Sequence, residues 1–177
     1  MNADILRELY AWNGDATRQV LAAAERAGAA AWDAPGSGGR TLRETLVHLV
    51  AAQRAWLAWW DGSLPAAAAM ELSLAAEDFP DPASLLATWN EVDAATRGFL
   101  AGIGEDDLAQ VYAADFRGAP FSLALWQMLL HIAMHGAQHR AEAAMMVAAA
   151  GESAGDLDLL WRFLATAMGR PAASEGA

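Results

Sequence analysis

The chain has 177 residues, a length that suits one domain with a real hydrophobic core. Apolar residues make up 55% and charged residues 19%, with alanine supplying much of the apolar share, which excludes a chain disordered throughout. Acidic residues number 22 against 11 basic ones, a net charge of −11 with the cations scattered singly, which excludes nucleic acid as a partner. Asp4, Arg7 and Glu8 interrupt the first turns, where a signal peptide needs a basic start and an unbroken apolar run, so a cytoplasmic protein is expected. Leu6, Leu9, Tyr10, Asn13, Thr17, Val20, Leu21 and Ala24 recur at helical spacing and predict a first long helix over 3–29. The Gly- and Pro-rich stretch Asp33 to Arg40 stops it.

Thr41 and Glu44 then fit a capping box, and Leu42, Leu46, Leu49, Gln53, Trp56 and Trp60 predict a second helix over 42–61. From Asp61 to Pro82 the pattern lapses into a connection with Pro65, Pro80 and Pro82, long enough to cross from one end of a bundle to the other. Two parallel neighbours among otherwise antiparallel helices are therefore expected. A third helix starts at Pro82 and runs through Leu85, Leu86, Trp89, Val92, Thr96 and Leu100 to the stop at Gly102-Ile-Gly104. Gln110 to Ser122, with the turn signal Arg117-Gly118, suits a small hairpin.

The fourth long helix is expected over 122–150, with Gly151 as its stop, and a short last helix over 156–168 packing across the bundle. The apolar run Phe121 to Met134 is broken by Gln127 and His131 and falls short of the roughly 20 residues of a membrane span, so no membrane partner is expected. The reading is an all-α helical bundle in one domain, 1–168, with a polar tail at 169–177. Trp56, Trp59 and Trp60 are read as covering more than one helix face, so that an exposed tryptophan could seat a homodimer.

With no cysteine, any metal must be held by imidazole and carboxylate. His131, His135 and His139 follow one another at steps of four, each step advancing roughly 40° and climbing about 6 Å, so they form one slowly winding stripe. Neighbours at i and i+4 can share an ion, whereas the outer pair, about 12 Å apart, cannot. At most two of the three can be ligands, and His48 on the second helix is the remaining histidine that could supply a third. Glu142 falls within roughly 20° of the stripe. It could orient His139 or His131, ligate a metal, act as a base, or form a salt bridge at the bundle end.

The segment Leu130-His-Ile-Ala-Met-His-Gly-Ala-Gln-His-Arg140 resembles the carboxy-terminal signature of the DinB/YfiT-like superfamily, in which two histidines four apart precede an arginine. Thr41-Leu-Arg-Glu-Thr-Leu-Val-His48 through Trp56-Leu57 is similar to its second-helix signature, and Tyr10-Ala-Trp-Asn13 and Asp158-Leu-Leu-Trp161 extend the similarity over nearly the whole chain. The resemblance implies a four-helix bundle with up-down-down-up topology and a divalent metal ion held by His48, His135 and His139, with His131 outside the ligand set. Two departures stand out: Ala141-Glu142 where relatives often continue Gly-Gln, and Gln53 where relatives commonly have glutamate.

A three-histidine site keeps a coordination position open, and imidazole suits zinc, nickel, copper or iron. Zinc or nickel is the expected ion. The resemblance further implies a metal-dependent thiol S-transferase or hydrolase acting on a small-molecule substrate, with a low-molecular-weight thiol as a partner and a pocket walled by Trp56, Met128 and Met134. The alternatives are a non-catalytic, stress-related metal-binding or interaction bundle, and a haem held between His48 and a histidine of the fourth helix.

Overall fold

The computed structural model describes residues 2–36, 38–116 and 118–169. It is mostly helical with one small sheet. Helix α1 (Ala3–Ala27) starts where the Asn2 side chain accepts the Asp4 amide and stops at Gly28, whose φ of 82° suits glycine, two residues short of the predicted end. A single turn, α2 (Ala29–Trp32), seats Trp32, whose indole N–H donates to the Phe79 carbonyl. Helix α3 (Leu42–Trp60) opens on the predicted capping box: Thr41 Oγ1 accepts the Glu44 amide and Glu44 Oε2 accepts the Thr41 amide.

The connection that follows carries local order, with α4 (Ala66–Met70) and a 3-10 turn at Ala76–Asp78. Helix α5 (Pro82–Gly102) starts as predicted, with Pro82 in its first turn and the Asp81 carboxylate capping the Ser84 amide. A one-turn α6 (Glu105–Leu108) leads into β1 (Val111–Phe116) and β2 (Ala119–Ala124), an antiparallel pair in register from Val111 opposite Ala124 to Phe116 opposite Ala119. The predicted hairpin is present; Arg117 of its turn lies outside the described residues, while Gly118 takes a φ of 82°. Strand β2 runs straight into α7 (Leu125–Ala149), and α8 (Leu159–Ala167) closes the chain. The predicted tail falls almost wholly outside the described residues, at 170–177. No helix among the described residues is long and apolar enough to cross a membrane.

Helix α1 packs on α5 and α7, and α3 packs on the same two. The core divides into two apolar clusters. One gathers Val20, Leu21, Leu46, Val50, Leu85, Trp89 and Val147; the other gathers Leu6, Tyr10, Trp60, Leu100, Leu125 and Leu129. On every long helix a buried polar residue falls between the two sets: Asn13 and Thr17 on α1, Gln53 on α3, Asp93 and Thr96 on α5, His139 and Arg140 on α7. These form a polar belt across the middle of the core. Asn13 Nδ2 donates to Gln53 Oε1, Gln53 Nε2 donates to Thr96 Oγ1, and Arg140 donates from Nη1 to Asn13 Oδ1 and Thr17 Oγ1. Burial lowers the Arg140 pKa to about 10, which leaves it charged at neutral pH, and its guanidinium lies 4.7 Å over the Trp12 ring. Glycine makes room for the belt at two points. A Cβ on Gly136 would stand 2.7 Å from Asn13 Oδ1, and one on Gly14 would stand 2.6 Å from Asp93 Oδ1.

Two expectations are corrected. Trp59 and Trp60 are buried and Trp56 is half-buried, because residues at i, i+3 and i+4 share one helix face and therefore turn inward together. Helix α8 does not bury an apolar face across the other helices: Leu160, Trp161, Phe163 and Leu164 are all exposed. It is tied to α1 by Arg162, which pairs with Glu8 at 2.5 Å and Asp15 at 2.9 Å.

Candidate metal centre

Three histidines from two helices meet at the belt, which His139 joins. Helix α3 supplies His48 and α7 supplies His135 and His139, whose i, i+4 spacing turns both rings the same way. The His48 ring lies 5.1 Å from that of His135 and 4.9 Å from that of His139, and His135 and His139 are 4.4 Å apart, all edge to face. One nitrogen from each can be chosen so that all three lie within 4.8 Å of one another, a set that could hold a metal ion. Ligand nitrogens about 2.0 to 2.1 Å from a shared ion cannot be more than about 4.2 Å apart, so small rotations of these rings complete the set.

His135 Nε2 is buried and, among the described residues, has no hydrogen-bond partner, which leaves an orphaned lone pair or N–H. Burial is the main cause that drives the His135 pKa down to about 4, with the neighbouring imidazoles adding to it, and burial lowers that of His48 as well. Both rings are therefore neutral at pH 7, the state in which imidazole offers a lone pair to a metal. An all-imidazole set with one unsatisfied buried nitrogen fits a divalent transition metal.

The carboxylate of Glu142 lies beside this group on the next turn of α7. Its Oε2 stands 2.7 Å from His139 Nδ1, and its Oε1 accepts a hydrogen bond of 3.0 Å from Gln138 Nε2. The bond from Gln138 is the leading cause that holds the Glu142 pKa below the usual carboxylate range, so the acceptor stays ionised. With the proton kept on Nδ1, His139 presents Nε2 as its free lone pair. Both oxygens of Glu142 are thus engaged, one at His139 and one at Gln138. Gln138 was not anticipated, although its i, i+4 spacing to Glu142 was there to be read.

His131 is brought near but not into the group. It is exposed, 6.0 Å from the His135 ring, and packs edge to face on Trp56 at 5.6 Å. Of the expected pocket walls, Trp56 alone keeps that place: Met128 is fully buried in the core and Met134 is 48% exposed. The open space instead adjoins α3, as a groove of about 450 Å³ lined by His48, Trp56, Ala51, Ala52, Leu72 and Leu74 among others.

A family model described as DinB family matches residues 1–170. No curated protein matches the chain.

Proposed function

The chain belongs to the DinB family, and on that premise we propose that it is a metal-dependent enzyme of the thiol S-transferase or hydrolase type, with His48, His135 and His139 as the metal ligands. The observation that carries the reading is the meeting of three imidazoles, one with a buried nitrogen left unpartnered, on a chain without cysteine. Zinc or nickel is the ion proposed. Bound there, such an ion would act as a Lewis acid that lowers the pKa of a thiol or water at its open position.

The protein's own contribution is orientation. Glu142, fixed by Gln138, keeps His139 in one tautomer, and the packed α3 and α7 backbones set the distance between His48 and the α7 pair. The same reading takes residues 1–168 as one domain and the four long helices as an up-down-down-up bundle. In support, the amino-terminal ends of α1 and α7 share one apolar cluster with the carboxy-terminal ends of α3 and α5, and the opposite ends share the other.

The test is elemental analysis of untagged protein, wild type against His48→Ala, His131→Ala and a His135→Ala/His139→Ala pair. Close to one equivalent of metal is expected in wild type and in the His131 variant, and almost none in the other two. A wild type that stays metal-free after incubation with excess zinc or nickel would sink the proposal and leave a structural or interaction bundle in its place.

A further inference from the structure

The groove beside His48 follows from the sequence of α3. Ala51, Ala52 and Ala55 form its floor, where small side chains leave a trough between the helix and the connection that follows it. From residue 72 to residue 75 that connection has no regular structure, and Leu72, Leu74 and Ala76 are sheltered while Ser73, Ala75 and Glu77 are exposed. The two-residue alternation of an extended segment therefore turns an apolar edge toward the trough. Leu74 and Ala76 are anchored against the core, so the wall is built rather than loose. His48 lines one side of the groove, with Trp56 two turns further along the same helix face, so the open space runs from His48 along a largely apolar channel.

Among the described residues the lining includes no lysine or arginine, and its ionisable members are His48 and Glu44. Glu44 accepts the Thr41 amide at 2.7 Å, and backbone and side-chain bonds to Thr41 are the leading causes that keep it ionised. Glu44 is itself exposed, with Arg40 and Arg43 close enough to offset its charge, so what disfavours an anion in the groove is the desolvation cost against its apolar lining. A volume of about 450 Å³ lies within the usual range for a small-molecule site.

We infer that this groove binds a neutral, apolar arm of the substrate, an aryl or alkyl group whose reactive end lies at His48, and that its apolar lining selects against carboxylate- or sulfonate-bearing arms. The inference deepens the proposed function and rests on it only for the placement of the reactive end, so the two can fail separately.

Metal-free protein titrated with N-phenyl-1-naphthylamine, a neutral fluorescent aryl probe, tests the groove alone. Saturable binding is expected, at least about tenfold tighter than that of the same naphthylamine framework carrying a sulfonate. Ala51→Phe and Ala52→Phe, each filling the floor, should weaken the neutral probe at least about tenfold. Equal binding of both probes by wild type would overturn the inference without any variant. So would binding that survives both floor substitutions in variants whose circular dichroism is that of wild type. Zinc-loaded protein then tests the link to the histidines: octanohydroxamate should bind at least about tenfold tighter than acetohydroxamate, since each methylene buried contributes about fourfold. Equal affinities would overturn the placement of the arm. Probe binding in a protein that takes up no metal would instead retain the groove and remove the metal reading.

Discussion

Replacing Gly136 by alanine should destabilise this protein, although the same exchange within a helix ordinarily stabilises by about 1 kcal/mol. The added Cβ would stand 2.7 Å from Asn13 Oδ1 and 2.9 Å from Arg140 Nη1, inside ordinary contact for both. Those two atoms are bonded to each other, so neither can retreat without lengthening the bond. Among the described residues Arg140 would then keep only the 3.3 Å hydrogen bond to Thr17 Oγ1, with Nη2 already unpartnered. A hydrogen bond to a charged group contributes about 1.5–3 kcal/mol, so the helix-propensity gain of about 1 leaves a net loss of about 0.5–2 kcal/mol. Gly98 on α5 is the control: a Cβ there meets nothing within 4 Å, and Gly98→Ala should stabilise by about 0.5–1 kcal/mol. Guanidinium denaturation of the metal-free protein, followed by far-UV circular dichroism and tryptophan fluorescence, reads both. A Gly136→Ala variant as stable as Gly98→Ala would refute the argument that the belt is tightly packed at this point.

Glu142→Gln should weaken metal affinity by about tenfold, measured by competition with a chromophoric chelator, because the variant loses the charged acceptor at His139 Nδ1; an unchanged affinity would remove the orienting role. The metal-free protein should lose stability as pH falls from 6.5 toward 4. In that window the unfolded chain takes up a proton that folded His135, with its pKa lowered to about 4, does not; above 6.5 neither state is protonated there, and below 4 the loss levels off. His135→Ala should flatten that part of the pH curve, and an identical slope in both proteins would count against the burial of this imidazole. Arg162→Ala should lower global stability by less than about 1 kcal/mol, since its pairs with Glu8 and Asp15 are partly exposed, while hydrogen exchange quickens throughout α8; protection unchanged in α8 would mean that another contact holds it.

The elements were legible where a local rule sufficed. The 3.6-residue repeat and the capping residues Thr41, Glu44 and Pro82 marked α1, α3 and α5, and the turn signal at Gly118 marked the hairpin. The short helices at Ala29–Trp32, Ala66–Met70 and Glu105–Leu108 were missed because one turn is too brief to show a period. Spacing alone left the choice between His131 and His139 open; the resemblance selected His139, and the ring distances to His48 agree with it. The partners of Arg140 and the strap at Leu72 and Leu74 were illegible for a different reason. Asn13 and Arg140 are 127 residues apart in sequence, and nothing local announces that they meet. The exposed apolar side of α8 was misread because an amphipathic pattern states which face is apolar, not whether anything covers it.

The polar belt also determines how far the helices can slide. The apolar clusters above and below it are built largely of leucine, alanine and valine, and such surfaces tolerate repacking at modest cost. The belt does not. Moving α7 by one turn, about 5.4 Å, would carry the Arg140 guanidinium from Asn13 and Thr17 into an apolar layer and strand a charge there. His139 is the residue before Arg140 and His135 lies one turn earlier, so whatever fixes the arginine axially also fixes the height of both imidazoles relative to His48. The belt thus acts as a vernier for the histidines: it sets their alignment across two helices before any ligand arrives.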